Sequence, residues 1–430
     1  MKAQTFNYLL LVFILFFYLY PTLFVFVPGG ISTRLLICSI GLIIASITYF
    51  NKLKDLETFF LKKEQIITFN FLIALASISI ISLLINGTSD MEYIKYMLSM
   101  LFIYFSYIPI KILINKYFGA INIFFISNLI INAVLIQIVV ALSMYIFPVF
   151  GNFIKSIQII DDADLGRLSQ VLEFRLVGLG TKFFASGIIN AFTLILIAFN
   201  IRERKLNFTQ LIKYTILFIV IFAIGMMMSR TTLIGAILGL IYIMLPNITK
   251  KGISFHNSWQ FILLLIIIPL FFISFFIIAL PEFTKQFQSL FKFGFELFIN
   301  FSETGKVTSE STEDLKTMYI FPDHLKTYII GDGKFTGDGG KTVSYYMGTD
   351  VGYLRLIYYF GVIGLLIYFL FQYFVIKTSF KNHRLLVFFI FILLVILNLK
   401  GVADLFYLSI LFNIREYQSK PIIQTKPLAA

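Results

Sequence analysis

Apolar residues in this chain come in long unbroken runs, not in alternation with polar ones. Twelve apolar segments can be read, at about 6–27, 33–50, 66–85, 94–113, 121–147, 183–200, 214–229, 231–245, 260–280, 352–376, 385–398 and 401–412. An α-helix needs about 20 mostly apolar residues to cross the hydrocarbon layer of a bilayer. The short alternating segments of a membrane β-barrel are missing. The pattern therefore predicts an all-α polytopic integral membrane protein of about 12 transmembrane helices, forming a single membrane domain over residues 1–430. The seventh and eighth segments read as a tight hairpin broken at Ser229-Arg230. The first run, Phe6 to Val27, is too long for a removable signal peptide and has no small-residue cleavage site, so it reads as a first span.

Composition strengthens this picture. The chain is 59% hydrophobic and 13% charged, with a mean hydropathy of +0.91 and 52 Phe. Soluble proteins carry about 25% charged residues. A water-soluble fold would leave much of this apolar surface exposed, at roughly 25 cal/mol per Å². Cys38 is the only cysteine, which excludes an intrachain disulfide and a CxxC metal site.

The net charge of +13 fits either membrane anchors or a site for an anionic ligand, and the loops separate the two. With the N-terminus in the cytoplasm, the cytoplasmic connections hold Lys52, Lys54, Lys62 and Lys63, then Lys111 and Lys116, then Arg202, Arg204, Lys205 and Lys213. Lys250, Lys251, Lys377, Lys381 and Arg384 continue the series, while the short outer turns are almost free of Lys and Arg. Positive charge gathers on the cytoplasmic side, so both termini are expected there, with 413–430 as a cytoplasmic tail. Two outer segments break the rule. A medium loop, 148–182, carries Lys155, Arg167, Arg175 and Lys182; a large loop, 281–351, carries seven lysines. Arg230 joins them, because the hairpin brings it to the same surface.

The large loop has its own pattern. Phe283, Phe287, Leu290, Phe291, Phe295 and Phe298 recur at helical spacing, which suits a helix lying in the membrane interface. Ser311 and Asp314 suggest a helix start, and Asp323 is placed to cap a second short helix that Gly331 would end. The glycine-rich run from Gly331 to Gly340 lacks Walker spacing and follows no strand, so it reads as a turn and not a phosphate loop. A loop of roughly 70 residues is longer than a helical bundle requires and is expected to be functional.

Three places resemble the Wzy-type polymerases of O-antigen and capsular polysaccharide and, more distantly, the O-antigen ligases. The first is Phe174-Arg175-Leu176-Val177-Gly178-Leu179-Gly180, with Arg167 separated from Gly178 by ten residues, the Arg–ten–Gly pattern of outer loops in these polymerases. The second is Ser229-Arg230 at the hairpin tip. The third is Thr349-Asp350-Val351-Gly352-Tyr353-Leu354-Arg355, running into Phe360-Gly361-Val362-Ile363-Gly364. At this junction the ligases carry His-Asn, nine residues, then Gly-x-x-Gly. Here Asp350-Val351 keeps the frame with Asp in place of the functional His, which favours polymerase over ligase. The large loop has no Arg, so a second Arg–ten–Gly pattern is missing, and Lys326 with Gly337 is a loose match.

The resemblance implies a glycosyltransferase C-like membrane fold and an enzyme at the outer face of the bacterial cytoplasmic (inner) membrane. Its substrates would be undecaprenyl-diphosphate-linked glycans. A hydroxyl of one repeat unit attacks the anomeric carbon of a lipid-linked chain, and the lipid diphosphate leaves. Arginine grips phosphate oxygens in pairs and stays charged, so Arg167, Arg175, Arg230 and Arg355 are the diphosphate candidates, with Lys326 beside them. Asp350 is the first candidate for the base or for positioning the hydroxyl; Asp323 and His324 are second candidates. Tyr345, Tyr346 and Tyr353 could line a sugar groove. No cofactor or metal is expected, since cationic side chains can do that work, and nucleic acid is not an expected partner. A chain-length regulator and a flippase in the same membrane are implied partners.

Each of these residues has a plainer reading. Outer arginines bind lipid headgroups or pair with Asp161, Asp162, Asp164 and Glu173; Asp350 caps a helix; tyrosines collect at membrane interfaces; His324 is a solvated loop residue. Asp162-Ala163-Asp164 is set aside as a nucleotide-sugar motif, because it lies outside, where no nucleotide sugar is supplied. The competing functions are a ligase-like glycan transferase and, from a different class, a lipid-linked oligosaccharide flippase or other transporter. A flippase should carry cations buried in mid-span, whereas the basic residues here lie in loops and at span ends.

Overall fold

The computed structural model describes residues 2–51, 63–119, 122–160, 174–180, 183–249, 252–254, 259–268, 287–337 and 345–413. Six helices are long and apolar enough to cross a membrane: Lys63–Asn86, Glu92–Phe118, Ile123–Ile146, Phe183–Glu203, Phe208–Met228 and Gly352–Ser379. Shorter apolar helices lie at Gln4–Leu19, Thr33–Ile47, Thr232–Met244, Trp259–Ile268 and Arg384–Leu397. The chain is a helical, multi-pass membrane protein. Its helices are α1 (Lys2–Leu19), α2 (Thr33–Asn51), α3 (Lys63–Asn86), α4 (Glu92–Tyr104), α5 (Tyr107–Phe118), α6 (Ile123–Ile146) and α7 (Pro148–Ser156). They continue with α8 (Phe183–Glu203), α9 (Phe208–Met228) and α10 (Thr232–Met244). A two-stranded ribbon, Asn247–Thr249 with Gly252–Ser254, follows, then α11 (Trp259–Ile268). The large loop holds α12 (Gln288–Gly294), α13 (Glu296–Thr304), α14 (Glu310–Thr317) and α15 (Leu325–Ile329); then come α16 (Gly352–Ser379), α17 (Arg384–Leu397) and α18 (Phe406–Ser409).

Helix α8 is the axis of the bundle. Every residue from Ser186 to Ile201 is buried, and α6, α9, α10 and α17 pack around it. A helix apolar on all sides has no face to give to water. Two of its polar side chains are matched inside the protein: Asn200 donates to Ser127 Oγ at 2.6 Å and to its own helix at Leu196 O, and Thr193 Oγ1 donates to Ile189 O at 2.7 Å, whereas Asn190 Nδ2 is buried without a hydrogen-bond partner among the described residues. The α9–α10 hairpin turns at Ser229-Arg230-Thr231 as the sequence suggests, and α9 opens with a capping box between Asn207 and Gln210.

Several segments depart from the sequence reading. α1 stops at Leu19, and residues 20–27 run as a strap that bonds to the start of the medium loop, Val25 N to Ile157 O at 3.0 Å and Ile159 N to Leu23 O at 2.8 Å. The fourth segment is two helices, α4 and α5, broken at Phe105-Ser106. Of the ninth, only 259–268 lies within the described residues. The twelfth is not a continuous helix: 402–405 are non-helical, and only α18 and a 3-10 turn at Ile410–Phe412 follow. Unwound backbone is tolerated at such depth only where its polar groups find protein partners. Here Tyr368 Oη donates to Ala403 O at 2.5 Å, Asn398 Nδ2 donates to the same carbonyl, and Asp404 Oδ1 accepts from Gln372 Nε2 and from Phe406 N.

The amphipathic stretch of the large loop is also two helices, α12 and α13, meeting at Phe295; residues 283–286 lie outside the described ones. Leu290 and Phe293 point inward, whereas Phe291, Phe298 and Phe301 are about half exposed. α14 starts after Ser309, two residues earlier than Ser311 implies, and Ser309 makes no side-chain cap. The N-cap of α15 is His324, also without a side-chain bond, which leaves Asp323 one residue outside the helix. Gly331, at φ +82°, ends α15 as expected.

α15 rests on a kink in α16. At Gly361 the backbone takes φ +72° and ψ −177°, and a Cβ there would lie 2.3 Å from Ile329 O. Only glycine adopts that conformation readily. The Gly361-x-x-Gly364 motif therefore has a packing function: it seats the loop helix against the bundle.

Candidate functional site

Arg175 and Arg230 come together on a single aromatic ring. The segment around Arg175 is pinned to the end of α9 by Leu176 N donating to Met227 O at 3.1 Å, and Leu176 packs with Met228, Ala141 and Leu290 of α12. Phe293 of α12 then carries both arginines on its ring, its centroid 4.2 Å from the Arg175 guanidinium carbon and 4.3 Å from that of Arg230. Those two distances add to 8.5 Å, the largest separation the two carbons can have.

The two arginines differ in how they are satisfied. Arg230 Nε donates to Phe293 O at 2.9 Å, Nη1 donates to Ser311 Oγ at 3.0 Å, and Nη2 pairs with Glu296. Burial lowers its pKa while the Glu296 and Glu310 charges act against that. Arg175 makes no hydrogen bond or ion pair among the described residues; it stacks on Phe293 and on Phe183, and its Nε is buried without a partner. Burial first, and the Arg230 charge second, bring its pKa down to about 10. It is still a cation at neutral pH, held next to another cation in a place that solvates it poorly.

A second group stands beside the first. Gly352 at the start of α16 meets the turn after α17 so closely that a Cβ would lie 2.5 Å from Gly401 O. Tyr353 N donates to Asn398 O across the same contact, at 3.2 Å. This brings Asp350 and Lys400 into one neighbourhood. Burial lowers the Lys400 pKa, the Arg175 and Arg230 charges lower it further, and Asp350 acts in the opposite sense. Asp350 Oδ1 also faces Arg355 Nη1 at 3.4 Å. Arg355 is buried between two rings, 4.0 Å from Phe335 and 3.7 Å from Tyr345. Val351 is the N-cap position of α16, without a side-chain bond, so Asp350 is not the cap.

The large loop is moored at this place by Asp90. Its Oδ2 accepts from Phe335 N at 2.8 Å, Thr336 N at 2.9 Å and Thr336 Oγ1 at 3.0 Å, and Oδ1 accepts from Glu92 N at 3.1 Å. Burial alone would raise the Asp90 pKa, but these bonds outweigh it and the net shift is downward. Asn86 Nδ2 donates to Gly331 O and Thr88 Oγ1 to Gly333 O, both at 2.9 Å.

Of the residues singled out from the sequence, the fold gathers Arg175, Arg230, Asp350, Arg355 and Tyr345. Arg167 lies outside the described residues. Asp323, His324 and Lys326 are exposed around the start of α15 and touch none of the gathered group. Tyr346 packs edge-on against Tyr358 and points its hydroxyl at Asp332 Oδ2, 3.4 Å away. Tyr353 is committed to packing, stacked on Phe369 with its hydroxyl donating to Val395 O at 2.7 Å. Two residues escaped the sequence reading. Lys400 had a faint signal, as a lone basic residue in the short turn between the last two apolar segments. Asp90 had none, because its partners lie 245 and 246 positions away. Comparison with protein-family models, with curated proteins and with solved structures found no significant match.

Proposed function

We propose that this protein is a polysaccharide polymerase, a glycosyltransferase that joins undecaprenyl-diphosphate-linked repeat units at the outer face of the bacterial cytoplasmic membrane. In this reading the chain crosses the membrane about 12 times in a glycosyltransferase C-like arrangement. Both termini are cytoplasmic and the large loop faces outward. A flippase and a chain-length regulator in the same membrane are the expected partners, and the product is an O-antigen or a capsule.

The observation that carries the reading is Arg175. A half-buried guanidinium no more than 8.5 Å from a second one, without a carboxylate partner among the described residues, is held at a cost the fold does not need. At that distance two unit charges repel by about 2 kcal/mol at an effective dielectric of about 20. An anionic headgroup entering the site removes the repulsion and completes the bonds of Arg175. As the sugar–phosphate bond breaks, charge builds on the diphosphate, and preplaced cations stabilise it there. Asp350, next to this group, receives the proton of the attacking hydroxyl.

The test is a deletion strain complemented with variants. Loss of the protein should leave single repeat units on the cell surface. Arg175→Ala at wild-type abundance should reduce polymer at least tenfold, and Arg175→Lys should restore little of it, because an ammonium lacks the planar fork. Normal polymer from Arg175→Ala would refute the assignment.

One observation favours a transporter as second reading. Asp404 is partly buried within an unwound segment, with Arg34 among the charges acting on it, and intramembrane ionisable groups at broken helices mark many transport sites. In that case the deletion strain would lack outer-face glycan altogether, including single units.

A further inference from the structure

Lys400 has no role in the pairing of Arg175 with Arg230, yet it is held firmly beside them. Its turn is fixed from three sides. Asn398 O accepts from Tyr353 N, Leu399 O accepts from Tyr319 Oη at 2.9 Å, and a Cβ on Gly401 would lie 3.1 Å from the Phe184 ring. Phe184 adjoins Phe183, on which Arg175 stacks. A lysine at a membrane surface ordinarily swings its ammonium group toward water. This one is half-buried and has no side-chain hydrogen bond or ion pair among the described residues. Its turn adjoins Gly352, two residues from Asp350, and Phe184, next to the Phe183 ring on which Arg175 stacks, and the charges of Arg175, Arg230 and Asp350 all act on it.

We propose that Lys400 holds the phosphate next to the sugar of the lipid-diphosphate donor, with Asp350 across the reacting carbon from it. This rests on the polymerase reading and adds a residue and an axis to it. Arg175 and Arg230 take the phosphate nearer the lipid, Lys400 the one bonded to the sugar, and Asp350 the incoming hydroxyl. The hydroxyl oxygen bonds to the anomeric carbon and its proton passes to the Asp350 carboxylate. The bond from that carbon to the phosphate oxygen breaks, its electron pair stays on the oxygen, and undecaprenyl diphosphate departs bound to the three cations. The order of charges along the site gives selectivity: a lipid monophosphate reaches the arginines and leaves Lys400 without a partner.

The full-length protein in nanodiscs, with undecaprenyl diphosphate and undecaprenyl monophosphate as probes, tests this. Lys400→Met should weaken diphosphate binding at least tenfold, leave monophosphate binding within about twofold of wild type, and reduce polymer at least tenfold in the complemented strain. Lys400→Arg should restore polymer in part. The pH profile gives a readout that a packing role would not move. The charged groups acting on Lys400 are Arg175, Arg230 and Asp350, and with burial the net effect lowers its pKa, so its charge is lost earlier than that of an ordinary lysine as pH rises. The alkaline fall in wild-type polymerisation should therefore move to higher pH in Lys400→Arg. If Lys400→Met binds diphosphate and makes polymer like wild type while Arg175→Ala does neither, the role of Lys400 is wrong and the polymerase reading stands. If the wild type binds neither lipid, both fail together.

Discussion

Removing the Asp90 carboxylate should detach the large loop from the bundle locally and leave the rest of the fold intact. Asp90 accepts three hydrogen bonds from Phe335 and Thr336 at 2.8, 2.9 and 3.0 Å. A hydrogen bond to a charged group is worth about 1.5–3 kcal/mol net. Asp90 is only partly buried, so solvent competes, and about 1 kcal/mol for each bond is the better figure. Asp90→Ala then costs about 3 kcal/mol of mooring, and since about 1.4 kcal/mol is a factor of ten, the segment opens roughly 100-fold more often. Hydrogen–deuterium exchange reads this directly. The amides of Phe335 and Thr336 should lose about two orders of magnitude of protection, while those of the buried helix α8 should not change. Asp90→Asn keeps one acceptor oxygen without the charge and should fall between. The pH dependence has a definite sign. The folded pKa of Asp90 lies below the ordinary 3.8, so its contribution is complete above about pH 5 and is lost as pH falls through the folded value. The consequence for the site passes through Phe335, whose ring carries one face of Arg355 at 4.0 Å, so polymer should fall in Asp90→Ala as well. Unchanged protection at Phe335 and Thr336 in Asp90→Ala would show that something other than this carboxylate holds the loop.

Two further outcomes follow from the same contacts. Asp350→Asn and Asp350→Ser should both lose polymer at least tenfold at normal abundance, because the cap position belongs to Val351; activity retained in either variant would remove Asp350 from the chemistry. Gly361→Ala should cost about 1–3 kcal/mol from its φ of +72° alone, and more from the clash with Ile329 O, read as faster exchange over α15 and a lower melting temperature in detergent.

What could be read from the sequence were the properties that depend on neighbours along the chain. Long apolar runs specify membrane helices because lipid rewards each residue locally, and the Ser229-Arg230 tip and the end of α15 at Gly331 are equally local. Element ends were less legible. α1 stops at Leu19, and the last apolar segment is unwound, although nothing in either composition forbids a helix; the surrounding side chains Asn398, Tyr368 and Gln372 satisfy the backbone and Asp404 there. The Gly361-x-x-Gly364 motif was visible, but its use as a seat for α15 was not.

The membrane class, the α9–α10 hairpin and the residue types suited to gripping phosphate were determined by the sequence alone. The tertiary structure decided which cations meet. Arg175 and Arg230 share Phe293, Lys400 joins them through the contact between Gly352 and Gly401, and Lys326 and His324 stay outside. The physical reason is range. Helix formation in lipid is settled within a few turns of chain, whereas the field at one guanidinium depends on charges brought next to it by packing between segments tens to hundreds of residues apart.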